Sequence, residues 1–257
     1  MRLFSRRKPA PTLARPCRVF DTPIAPEAPF WAIGDVHGCA GLLDGLFDRM
    51  FGQGSPASML IMLGDYVDRG DDSLQVLRRL HGIHAELGHK AVVCLRGNHE
   101  QMFIDFLDRP DTTGPRWVRH GGLQTLASFG VPAPRPSAEP AQWNEARDRV
   151  RETMGAPMER WLRALPSSWM SGNVFACHAG ADPARSVEHQ DESVLTWGHA
   201  DFEKEVRDDG IWVLHGHTIV TTANATSGRI ALDTGAYATG KLSAALIEPG
   251  NVTFVST

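Results

Sequence analysis

Four short stretches carry side chains that bind cations and anions: Gly34-Asp35-Val36-His37-Gly38, Gly64-Asp65-Tyr66-Val67-Asp68-Arg69-Gly70, Arg96-Gly97-Asn98-His99-Glu100 and Gly216-His217-Thr218. His178 stands alone between the last two. Carboxylate oxygens, an amide oxygen and imidazoles in this order supply ligands for two adjacent divalent ions. Asp35 and His37, close together on a tight turn, can hold one ion. Asp65 has two carboxylate oxygens and can bridge both, and Asn98, His178 and His217 complete the second. Oxygen and imidazole donors without thiolate suit manganese, iron or zinc better than magnesium or calcium, and manganese is the ion expected.

Two ions about 3.5 to 4 Å apart share a solvent-derived bridge and lower its pKa toward about 7, which supplies hydroxide for in-line attack on phosphorus. The departing oxygen then needs a proton. His99, next to Asn98, is the candidate donor, and Asp68 is the partner that would fix its tautomer. Arg69 offers a planar fork for two phosphate oxygens, with Asn98 beside the same phosphate. Taken singly, Gly-Asp-x-His-Gly and Gly-Asn-His read equally well as turns, and His178 as a core histidine. Their joint occurrence in order, each after an apolar run, points to a metal site instead.

The positioning elements follow from hydrophobic spacing. Phe30-Trp31-Ala32-Ile33 reads as a strand, and Leu42, Leu43, Leu46, Phe47 and Met50 recur at helical spacing after the first motif. The unit repeats with Met59 to Leu63 and then Leu74, Val76, Leu77 and Leu80, and again with Ala91 to Leu95 and then Met102, Phe103, Phe106 and Leu107. Three βα units imply parallel strands with right-handed crossovers, which puts the motifs just past the carboxyl ends of neighbouring strands. Between about Pro110 and Ser171 the strand rhythm stops. We read residues 110–171 as a helical insertion near the site, with Trp143 to Met154 as one helix. Its tryptophans, Trp117, Trp143, Trp161 and Trp169, are expected to pack in the core rather than stack on substrate. Strand candidates return at Val174 to Cys177, Ile211 to Leu214, Arg229 to Leu232, Leu242 to Ile247 and Val252 to Val255, the closely spaced last three suggesting a second sheet packed on the first.

The 257 residues suffice for one large core, so a single domain over 29–257 is expected. A net charge of −4 argues against broad binding to nucleic acid. No apolar run is long enough for a membrane span. Residues 1–28, with Arg2, Arg6, Arg7, Lys8, Arg15 and Arg18 among prolines, read as a mobile basic arm without the apolar stretch of a signal peptide. Cys17, Cys39, Cys94 and Cys177 lack paired spacing and read as reduced thiols of a cytoplasmic protein.

From Trp31 to its end the chain resembles the phosphoprotein-phosphatase family of metallophosphoesterases, most closely its bacterial and phage serine/threonine phosphatase branch. The resemblance takes in Trp117 to Gly122 and Asp233-Thr234-Gly235-Ala236-Tyr237 as well as the four motifs. It implies an α/β, calcineurin-like fold, a β-sandwich flanked by helices with the dinuclear site at one edge, and the same roles for the residues named above. One position departs. That branch usually places a second phosphate-binding arginine just after a tryptophan, where this chain reads Trp197-Gly198-His199-Ala200. His199 is thus the candidate phosphate ligand at that place, with Arg207, Arg116 or Arg119 as alternatives. His215, two residues before His217, is a rival metal ligand, and His120 could face the site from the insertion. The expected activity is dephosphorylation of phosphoserine or phosphothreonine in proteins, or of a small phosphoester. The alternatives are hydrolysis of dinucleoside polyphosphates or other nucleotides, and a phosphate-binding regulatory module with little turnover.

Overall fold

A computed structural model describes residues 19–52, 57 and 59–257. The first strand, β1 (Phe30–Ile33), leads into helix α1 (Ala40–Phe51), β2 (Met59–Met62) into α2 (Ser73–Leu87), and β3 (Val92–Cys94) into α3 (Asn98–Asp108). The three strands are parallel neighbours, as their crossovers require. Alternation explains why the whole of β1 is buried: Trp31 and Ile33 face the helices, while Phe30 and Ala32 face the second sheet.

Helices then run on as α4 (Pro110–Trp117), a π-type turn Val118–Gly122, α5 (Leu123–Ser128), α6 (Pro140–Met154) and α7 (Ala156–Arg163). Their apolar faces join the helix side of the first sheet, so Trp117 and Trp143 are buried, as core packing demands. Trp117 stacks on Phe106, with ring centroids 4.6 Å apart. The close approach of α4 to α6 needs Gly114, where a Cβ would lie 2.6 Å from the Trp143 ring.

The second sheet contains β4 (Ser168–Ser171), β5 (Val174–Cys177), β6 (Trp212–His215), β7 (Asn224–Thr226) and β8 (Arg229–Ala231), in the order β4-β5-β6-β8-β7. Short helices α8 (Glu192–Trp197) and α9 (Ala236–Thr239) follow β5 and β8. The last strands, β9 (Ser243–Glu248) and β10 (Asn251–Ser256), return to the first sheet, giving β10-β9-β1-β2-β3. Two details therefore differ from expectation. The run 168–171 is a strand, antiparallel to β5, and not the end of a helical insertion. Of the last three strands only β8 builds the second sheet, because the turn after β8 carries the chain back to pair β9 antiparallel with β1.

The sheets face one another across an apolar layer that includes Ile61, Leu63, Val174, Leu214, Ile230 and Ala245. A smaller cluster around Phe175, Leu195, Phe202 and Val213 covers the outer face of the second sheet. Residues 1–18, the bulk of the basic arm, lie outside the described residues, as does Cys17. Residues 20–25, placed in the arm on sequence grounds, are tied to the second sheet. Phe20 meets Trp212 edge-on, Ile24 is buried, and Ala25 exchanges hydrogen bonds with Asn173. Cys39, Cys94 and Cys177 are free thiols. Among the described residues no helix is long and apolar enough to cross a membrane.

Candidate metal centre

The motif loops fold by unusual backbone geometry. His37, Asp65, Asp68, Arg69 and His217 all have positive φ, between 44° and 72°. The only other described non-glycine residue with positive φ is Ser227, in the β7–β8 turn. Such conformations cost of order 1–3 kcal/mol each and persist where surrounding contacts over-determine them. Those contacts are present. The Val36 and His37 amides donate to the Asp65 carbonyl, and the Gly38 amide to that of Tyr66. Glu100, fully buried, accepts from the amides of Asp65, Tyr66, Val67 and Gly97 at 2.7 to 3.3 Å. Glycine is obligatory where backbone passes a carboxylate: a Cβ on Gly97 would sit 2.2 Å from Asp65 Oδ1, and one on Gly216 2.0 Å from Asp35 Oδ1.

Asp65 lies at the centre. His37, Asp65 and His99 form one triple of candidate donors, and Asp65, His178 and His217 a second, each with its donor atoms within 4.8 Å of one another. His37 Nε2 is 3.4 Å and His99 Nε2 3.9 Å from Asp65 Oδ2, whereas His178 Nε2 is 3.3 Å from Asp65 Oδ1. Asn98 Oδ1 lies 2.9 Å from His178 Nε2 and 3.0 Å from His217 Nδ1. Asp35 belongs to neither triple. Its carboxylate accepts the His217 amide at 3.0 Å and thereby borders the second one.

The donor set fits cations. His37 Nδ1 donates to the Val67 carbonyl and His178 Nδ1 to the Leu63 carbonyl, each at 2.9 Å, which fixes both tautomers and aims both Nε2 lone pairs at Asp65. At His178 three lone-pair-bearing atoms converge, Nε2 with Asp65 Oδ1 and Asn98 Oδ1, and only a proton or a metal ion between them makes that favourable. The protein's own charges tell the same story. Burial, reinforced by the neighbouring Asp233 carboxylate, raises Asp35 well above the usual carboxylate range. Burial depresses His178, but the Asp65 carboxylate outweighs it and pushes the imidazole up to about 10. Burial dominates at His37, lowered to about 3, and at His217, lowered to about 4.

His99 is set apart by its second nitrogen. Its Nδ1 is 2.7 Å from Asp68 Oδ2, and Asp68 also accepts from Thr125 Oγ1 at 2.6 Å and Trp117 Nε1 at 2.9 Å. Burial lowers the His99 pKa, and the Asp65 and Asp68 carboxylates more than restore it, leaving it raised. Arg69 is half-buried; its guanidinium lies 4.8 Å over the Tyr237 ring, and its amide donates to the Gly121 carbonyl of the helical segment.

The structure does not bring the other candidates into the cluster. His199 is paired with Asp182 at 3.9 Å and accepts the Asp201 amide. Arg207 is spent on Asp209 and on the Asp182 and Arg185 carbonyls. His215 points to the outer face, its ring 4.9 Å from Phe202, and burial lowers its pKa to about 4. His120 is exposed and bonded to the Arg116 carbonyl, and Arg119 is exposed. Sequence reasoning gave no role in the site to the supports Glu100, Trp117, Thr125, Asp233 and Tyr237. Glu100 lies inside the third motif, and Trp117, Asp233 and Tyr237 inside the stretches of resemblance, so these four had a local signal. Thr125 had none.

Known proteins resemble this chain in sequence and in fold. The profile of the calcineurin-like phosphoesterases matches residues 28–232. Serine/threonine-protein phosphatase 1 of Salmonella typhimurium is 36% identical over 97 residues, 36% of this chain and 38% of that protein. The symmetrical bis(5'-nucleosyl)-tetraphosphatase of Aromatoleum aromaticum is 30% identical over 196 residues, 70% of this chain and 59% of that protein. The chain thus spans less than two thirds of either relative. A serine/threonine phosphatase structure from Saccharomyces cerevisiae shares the fold, with a TM-score of 0.56 at 15% identity over 90% of this chain and 80% of that one. With the family profile covering most of its length, the chain belongs to the calcineurin-like phosphoesterase family.

Proposed function

We propose that the protein is a metal-dependent phosphoester hydrolase. The observation that carries this reading is the Asp65 carboxylate shared by two triples of donors, with the His99–Asp68 pair facing the same carboxylate. Asp35, His37, Asp65, Asn98, His178 and His217 would hold two divalent ions, of which manganese suits the donors, with iron and zinc next. Such a pair, when bound, activates the attacking water and draws charge from the phosphoryl oxygens.

The chain's own residues do the remainder. Arg69, steadied on Tyr237, binds phosphoryl oxygens through its planar fork, and Asn98 lies beside them. As the bond from water oxygen to phosphorus forms and the bond to the leaving oxygen breaks, His99 passes its Nε2 proton to that oxygen. Asp68 holds Nδ1 and stabilises the charged imidazole beforehand; burial raises the Asp68 pKa, and the His99, Thr125 and Trp117 hydrogen bonds offset part of that rise and hold the carboxylate still.

Two substrate classes suit this chemistry. Phosphoserine and phosphothreonine in proteins are supported by the Salmonella phosphatase, whose likeness is confined to 97 residues. Dinucleoside polyphosphates are supported by the Aromatoleum enzyme, whose likeness extends over 196 residues. Purified protein with manganese should release phosphate or nitrophenol from p-nitrophenyl phosphate. Absence of turnover with every first-row divalent ion would rule the reading out.

A further inference from the structure

Strand β10 is the outer strand of the first sheet, and nothing in its sequence shields the row of main-chain groups that it presents. Native edges are blunted by short strands, charges, prolines or bulges, because an open row of amides and carbonyls is a template for a further strand. The other three edges follow that rule. β3 and β7 have three residues and β4 has four. The Val92 amide of β3 is taken by the Gly88 carbonyl, and the Arg96 amide just beyond by the Pro166 carbonyl. β10 has six residues, Asn251-Val252-Thr253-Phe254-Val255-Ser256, with no charge, no proline and no break in its register against β9.

Pairing parity identifies the free groups. The Gly34 amide donates to the Ser243 carbonyl, so Ser243, Ala245 and Ile247 of β9 turn their main chain toward β1, and Ala244, Leu246 and Glu248 toward β10. In β10 the partners of those three are Val255, Thr253 and Asn251, which leaves the amides and carbonyls of Val252, Phe254 and Ser256 directed outward. Arg49, from α1, accordingly donates to the Ser256 carbonyl. The outward groups of Val252 and Phe254 have no partner among the described residues. Their side chains are half-buried against the layer between the sheets, while Val255 packs on the helix side, where Thr253 stands exposed.

The row is complementary to itself. When two copies of Val252-Thr253-Phe254 run antiparallel about a two-fold axis at Thr253, Val252 exchanges two hydrogen bonds with the partner's Phe254, and Phe254 two with the partner's Val252. Each pair sets a β-branched side chain beside an aromatic one, and the two threonines face one another on the axis, both favourable cross-strand combinations. An axis at Phe254 would instead need the Ser256 carbonyl, which Arg49 holds. We infer that β10 is the interface of a homodimer in which two copies of the first sheet join edge to edge. One strand from each copy is small beside the roughly 800 Å² per partner of a standard interface, so the dimer is weak and depends on concentration. The inference is independent of the hydrolase reading, and its test needs no turnover.

Sedimentation equilibrium of the full chain, under reductant and from micromolar to millimolar concentration, should show the apparent mass rising from that of one chain toward twice that value. Thr253→Lys and Thr253→Glu each put like charges face to face on the axis and should hold the mass at one chain throughout, and an equimolar mixture of the two should recover the rise. Thr253 is exposed, so both variants should fold, which circular dichroism checks. Thr253→Cys reads the register. Residues facing one another in a non-hydrogen-bonded pair lie about 4.5 Å apart at Cα, within disulfide reach, so air oxidation should yield a covalent dimer that the wild type, with its own thiols, does not form. A single-chain mass at every wild-type concentration overturns the inference, as does a dimer that persists in Thr253→Lys and Thr253→Glu. Failure of Thr253→Cys to cross-link while the wild type dimerises overturns it too.

Discussion

His99 and His178 face different oxygens of Asp65, at 3.9 and 3.3 Å, and are held there by different means. Around His99 the support consists of side chains: Asp68, then Thr125 and Trp117 from the helical segment. Around His178 it is largely main chain, with the Leu63 carbonyl on Nδ1 and the His178 carbonyl taking the Gly216 amide. A site braced by side chains transmits changes made far along the chain. One braced by backbone registers little except the loss of its own ligands.

The sharpest way to break that contrast is Asp65→Asn, because one side chain serves both sides. It should drop metal content after dialysis from about two ions per chain to below about one and abolish turnover. His99→Asn comes next and should slow turnover by roughly 10²- to 10⁴-fold with metal retained, the span for a general acid. Since His99 belongs to one donor triple, metal loss equal to that of Asp65→Asn would recast it as a ligand.

Glu100→Gln asks what the shared scaffold of the Asp65 loop is worth. An amide cannot accept from four amides that a carboxylate satisfies, so urea denaturation should show a loss of about 3 kcal/mol. Trp117→Phe removes one donor from Asp68 and should lower kcat by about 10-fold with KM and metal content unchanged, the equivalent of a single hydrogen bond to a charged group. An intact kcat would show that the helical segment does not brace His99.

The smallest effect is expected far from both sides, where Asp108 meets Arg163. The Arg163 hydrogen bonds hold Asp108 below its usual pKa of 3.8, so its contribution is present above that pH and disappears as pH falls through the lower folded-state value. The pair is half exposed and screened, so Asp108→Asn should cost less than about 1 kcal/mol at neutral pH and nothing in acid, by denaturation at the two pH values.

Residues whose neighbours in sequence are also their neighbours in space were legible. The β1, β2 and β3 units and the motifs after them required only hydrophobic period and ligand type. What stayed hidden depends on distant pairing. The four-residue strand at Ser168 carries only a brief alternation beside a proline, and Asn224–Thr226 is a short polar edge. Nothing local says that Ser243–Glu248 pairs with β1 rather than β8. The bond from Thr125 to Asp68 spans 57 residues and leaves no periodic trace. His217, the candidate ligand, was told from His215 by the Gly-His-Thr pattern. The arginine absent from the His199 position was visible in the sequence.

The cluster of left-handed residues in the motif loops sets a limit on improving this protein. Replacing one of the five with glycine would relieve its torsional tension, which favours folding except where, as at Asp68, the side chain satisfies buried donors, but each also delivers a side chain, or its backbone, to the candidate metal centre. Laboratory selection for heat resistance alone would therefore drift toward inert variants, and one that also demands turnover must find its gains elsewhere, in the helices and outer faces of the sheets.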